Sequence, residues 1–124
     1  MNLLLTLTAF TEAATGLMLI TVPSIVVRLL LGAEISGAGI ALGRVAGFGL
    51  LALGIACMPG RHPNANTAPA HRAMLTYNSL ATLYFLCLGI GGERVGPLLW
   101  PAAVLHGILS FLLARQWKLG NMRH

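Results

Sequence analysis

Four long apolar runs dominate the chain, over residues 2–22, 39–58, 73–90 and 97–117, with short polar or glycine- and proline-rich breaks between them. Each is close to the ~20 residues an α-helix needs to cross a hydrocarbon core of about 30 Å. None alternates with period two, the mark of a barrel strand, so helices are the way to pair this backbone in lipid. The pattern predicts an all-α membrane protein, an antiparallel bundle of four transmembrane helices in a single domain over 1–124.

The breaks differ in kind. Pro23 and Ser24 end the first run, and Ser24 to Gly32 (SIVVRLLLG) follows with one charge, Arg28. Too short to span, it suits an interfacial helix over 24–32 stopped by Gly32. The alternative is that it prolongs the first crossing past a proline kink. Pro59 to Arg72, with three prolines, predicts an irregular aqueous loop. Gly91 to Gly96 predicts a tight turn, with Pro97 in the first turn of the last helix.

Composition sharpens this picture. Hydrophobic residues make up 56% of the chain and charged ones 9%, against about 25% charged in soluble domains. The net charge of +5 comes from cations placed mainly at the ends of apolar runs, which points to lipid head groups rather than nucleic acid. Arg61, Arg72, Arg115, Lys118 and Arg123 share one side with both termini, while Arg28 and Arg94 fall on the other. That asymmetry predicts a multi-pass protein of the bacterial inner membrane with cytoplasmic N- and C-termini. Trp117 and Trp100 fall near opposite boundaries, as aromatic anchors do. The N-terminus has no basic n-region and its apolar run outlasts an h-region, so it is expected to stay as the first crossing. Cys57 and Cys87 fall towards opposite faces and are expected to be unbridged packing residues.

Candidate chemistry lies with the few polar side chains inside the runs. Glu12 and His106 fall at ~15 Å and ~13 Å from their helix ends, near the midplane. Arg44 enters from the outer end of the second run, and Asn78, with Thr82 a turn further on, from the third. Thr8, Thr15 and Ser110 share the faces of Glu12 and His106. A charge at the bilayer centre costs about 2.5–3.5 kcal/mol, so such residues pair or function. Glu12 therefore has three readings: an ion pair with Arg44, a neutral acid hydrogen-bonded to His106, or a proton-binding carboxylate. Arg44 either neutralises Glu12, snorkels outwards or anchors an anionic head group or quinone carbonyl. Glu12, Arg44, Asn78 and His106 form the expected ligand- or proton-binding set. No metal site is expected, because Glu12 and His106 alone do not make one, and His62, His71 and His124 fall too near the boundary to complete a bis-histidine haem.

Gly39, Gly43 and Gly47 recur every fourth residue and predict a close helix-packing face, serving either the internal bundle or a homodimer. Phosphate loops, GxSxG elbows and Cys/His dyads are missing from the sequence, which counts against hydrolase or kinase chemistry.

The first helix ending in a proline, SIVVRLLLG, the arginine-bearing ALGRVAGFGLLALG and the closing GPLLWPAAVLHGILSFLLA together resemble the small four-helix bacterial membrane proteins grouped as DoxX-like. The resemblance covers most of the chain and implies a four-helix inner-membrane bundle; some members are linked to quinone-coupled redox complexes. It assigns no catalytic residue. Three functional classes are expected. The first is a non-catalytic accessory or scaffold subunit, or a lipid- or quinone-binding bundle. The second is a proton-coupled small-molecule transporter using Glu12, as a dimer. The third is a subunit of a membrane redox or lipid-modifying enzyme. Membrane lipids are the expected partners, with a homodimer or larger membrane complex; no cofactor is expected beyond a bound lipid or quinone.

Overall fold

A computed structural model describes residues 2–60, 62 and 64–123; Arg61 and Pro63 of the expected loop, and His124, lie outside the described residues. Among the described residues five helices run in order: α1 (Leu3–Thr21), α2 (Pro23–Leu31), α3 (Ala38–Cys57), α4 (Ala68–Gly91) and α5 (Leu99–Met122). There is no strand among the described residues. Three of the helices, α1, α3 and α4, are long and apolar enough to cross a bilayer. α5 has the length, at 24 residues, but His106, Arg115, Gln116 and Lys118 dilute it.

Three boundaries move by two residues or more from the expected places: the start of α4 and both ends of α5, which runs on to Met122 rather than stopping at Trp117. α4 starts at Ala68 rather than Ala73, which shortens the expected loop. Pro69 is tolerated there because the amide it lacks has no helical partner in the first turn. The buried His71 ring then ties that turn to α5 through Nε2 and the Leu113 carbonyl, 2.7 Å apart. α5 begins at Leu99, leaving Pro97 in the turn.

The long helices associate most extensively as two antiparallel pairs, α1 with α3 and α4 with α5. In the first pair the backbones touch. A Cβ on Gly16 would lie 2.6 Å from the Leu51 nitrogen and 2.7 Å from the Gly47 oxygen, and one on Gly54 would lie 2.6 Å from the Ala9 oxygen. Part of the expected ladder lies in this seam. Gly47 belongs to it and Gly43 meets Pro23, but Gly39 meets only its neighbour Ile35. Steps of four residues drift by about 40° around a helix, whereas the seven from Gly47 to Gly54 drift by about 20°.

The two pairs share one end. Leu5 and Ala9 of α1, Cys57 of α3, Met74 of α4 and Leu113 of α5 form a buried apolar cluster there. At the opposite end α2 is fastened to the α4–α5 turn. Its last carbonyls have no helical donors; the Gly96 amide donates to Leu30 O at 3.1 Å and the Leu98 amide to Leu29 O at 2.8 Å. Any Cβ on Gly96 would collide with the Leu29 carbonyl. Gly32 caps α2 in the left-handed region at φ 64°. Large apolar side chains cover the outside, among them Phe10, Leu42, Phe48, Ile55, Leu83, Ile108 and Phe111. Cys57 is buried, Cys87 is exposed and both are free.

Candidate functional site

A polar cluster lies inside the protein, and helix periodicity puts it there. On α1 the buried positions are Leu5, Thr8, Ala9, Glu12 and Gly16, a single stripe at steps of three and four. On α5 they are Leu99, Ala103, His106, Leu109 and Leu113, and on α4 His71, Met74 and Asn78. Antiparallel pairing sets His71 against Leu113 and, seven residues along each helix, Asn78 against His106. Glu12 and Asn78 are fully buried and His106 nearly so.

The hydrogen bonds form a directed chain. Asn78 Nδ2 donates to Met74 O at 2.9 Å, which turns Asn78 Oδ1 towards His106 Nδ1, 2.7 Å away. His106 Nδ1 is also 3.8 Å from Glu12 Oε1, beyond hydrogen-bond reach. The hydroxyls nearby are spent on their own helices: Thr8 on Leu5 O, Thr15 on Thr11 O, Thr82 on Asn78 O and Ser110 on His106 O. The Tyr77 hydroxyl is directed at the Glu12 carboxyl but stops short of a hydrogen bond. Both Glu12 oxygens are consequently buried without a partner. Such a group forfeits its hydration and recovers little of it, a cost of about 1–3 kcal/mol for a neutral acid and more for an anion.

Arg44 does not join this cluster. It is exposed, and its Nε donates to Ile20 O at 3.2 Å. Ile20 stands in the last turn of α1, and Pro23 at the start of α2 interrupts the ladder that would have supplied donors. Arg44 thus caps the negative end of α1, where a cation is favoured. Of the readings open to Arg44, the ion pair with Glu12 is not the one formed; the side chain meets the Ile20 carbonyl instead. Arg28 forms an exposed pair with Glu34 at 3.2 Å.

Beside the cluster lies a cavity of about 520 Å³ between the helix pairs and beneath α2. Leu19, Val26, Val27, Leu30, Leu50, Ala102 and Leu105 supply apolar walls, while His106, Tyr77, Phe85 and Thr15 border its polar side. Tyr77 and Phe85 flank the imidazole, with ring centroids 5.9 and 5.6 Å from it. These two aromatics were not singled out in the sequence. Their signal is their position on α4, one residue before and seven residues after Asn78. A second, more open cleft of about 440 Å³ lies where α1 begins, lined by Asn2, His71, Gln116 and Trp117. Among the described residues no three His, Cys, Asp or Glu side chains gather as a metal site would need.

Comparison with protein families, with curated proteins and with solved structures found no match for this chain.

Proposed function

We propose that this chain is a four-crossing membrane protein that holds a lipid-like molecule, its apolar body between the helix pairs and its head at His106 and Tyr77. The single observation that carries the reading is the cavity: about 520 Å³, lined mostly by aliphatic side chains, with Thr11, Thr15, Tyr77 and His106 as its polar lining. That combination suits an amphiphile, and the volume is ordinary for a small-molecule site. A lipid, or a quinone in its reduced, phenolic form, fits this chemistry, and the DoxX-like sequence pattern is in keeping with it.

The case for α5 as the fourth crossing is the placement of its residues. Val104, Leu105, Ile108, Phe111 and Leu112 are exposed, His106 turns inwards, and Arg115, Gln116 and Lys118 come late in the helix. Its outer surface is apolar over that stretch. Four crossings return the C-terminus to the side of the N-terminus, and the excess of Arg and Lys on that side supports a cytoplasmic position for both, in a bacterium. α2 then lies in the interface over the outer end of the cavity. The role is one of binding, as an accessory subunit or lipid carrier.

Native mass spectrometry from lipid nanodiscs tests this. A retained small mass on the wild-type chain, lost when Ala102→Phe fills the cavity, is the expected result; bare chain in both cases contradicts it. A second reading, proton-coupled transport, draws support from the unpartnered Glu12 carboxyl. Glu12→Gln would then abolish flux in proteoliposomes while leaving the fold intact.

A further inference from the structure

The hydrogen-bond chain behind the cavity fixes which head group the cavity can take. The Met74 carbonyl only accepts, so the Asn78 atom facing it at 2.9 Å is the donating Nδ2. Asn78 Oδ1, which only accepts, therefore faces His106, and Nδ1 at 2.7 Å carries the proton between them. A charged imidazolium beside a carboxylate would close to about 2.7–2.9 Å. His106 Nδ1 instead stands 3.8 Å from Glu12 Oε1, so the ring is the neutral Nδ1–H tautomer and Nε2 holds a lone pair.

That lone pair has no partner among the described side chains, yet it is not sealed in. The Glu12 oxygens alone are both enclosed and unbonded among the described residues. His106 keeps 11% of its side chain accessible and borders the cavity. With Nδ1 held on the inner side by Asn78, the edge that reaches the cavity is the one bearing Nε2.

We infer that the cavity selects a hydroxyl-headed amphiphile, an aliphatic chain ending in an alcohol or phenol whose O–H donates to His106 Nε2. A ligand whose head only accepts, such as an ether or a ketone, would leave Nε2 unbonded and bring one acceptor against another. This inference rests on the reading of the cavity as a lipid-like site and adds the polarity of the head.

The test uses protein carrying nitrogen-labelled histidine in phosphatidylcholine nanodiscs, titrated with hexadecanol and, separately, with hexadecyl methyl ether. The alcohol is expected to bind about three- to tenfold more tightly, as one hydrogen bond in an apolar site provides. Only the alcohol should shift the His106 Nε2 resonance, which in ligand-free protein should be that of an unprotonated ring nitrogen. His106→Phe should make the two ligands equal. Equal binding to wild type with Nε2 unmoved, or an Nε2 already protonated in ligand-free protein, overturns the assigned polarity and leaves the cavity reading standing. If neither chain binds, the cavity reading fails and this proposal fails with it.

Discussion

The α1–α3 and α4–α5 pairs are both antiparallel, yet they are held together by opposite means. α1 and α3 meet backbone to backbone through Gly16, Gly47 and Gly54, with no room for another carbon. α4 and α5 meet through side chains: His71 on the Leu113 carbonyl, Asn78 on His106, and Trp100 lying over Gly89. In lipid there is little hydrophobic gain from joining helices, so close packing and interhelical hydrogen bonds remain as the two routes. Each pair relies mainly on one of them. The first pair contributes Glu12 to the polar cluster and the second Asn78, His106 and Tyr77, and the cavity opens where the pairs meet less closely.

That contrast makes graded predictions. The largest effect belongs to Gly54→Leu, whose Cβ would sit 2.6 Å from the Ala9 oxygen and 2.7 Å from the Ala13 nitrogen. Neither backbone can yield, so the loss should reach about 3 kcal/mol, the upper end for overpacking, visible as loss of a monodisperse species in detergent. Asn78→Leu should cost about 1–2 kcal/mol in reversible unfolding, because it strands the His106 Nδ1–H. Adding His106→Leu should recover more than half of that. A smaller loss, about 1 kcal/mol, is expected for Gly96→Ala, with faster hydrogen exchange at the Gly96 and Leu98 amides as α2 loosens. Smallest of all is Gly39→Ala, which lies outside the seam and should change stability by less than about 0.5 kcal/mol. A large effect there would restore the four-residue ladder and sink the seven-residue seam.

Much of this was legible in the residues. The runs around Leu3–Thr21 and Ala38–Cys57 announce their helices by length, and α2 follows from its proline start and glycine stop. Glu12, Asn78 and His106 could be picked out because a polar side chain in an apolar run has few tolerable places. Arg44 could not be placed, since its long side chain can turn either way and its partner is a backbone carbonyl. The Ile20 oxygen is left open to Arg44 because Pro23, three residues on, ends the α1 ladder. His71 looked like a loop residue because its partner, the Leu113 carbonyl, is 42 positions away. Gly16 and Gly54 went unnoticed because their partners are backbone atoms of another helix, which leave no pattern in their own.

The claim on which the account turns is that an aliphatic chain occupies the space between the two pairs. Solid-state NMR of labelled protein in bilayers, with magnetisation started on lipid-chain protons, reports this directly. Occupation predicts direct transfer to the His106 and Tyr77 rings, as strong as that to the outward-facing Phe48 and Phe111. Transfer confined to the outer rings, with His106 silent, would contradict it.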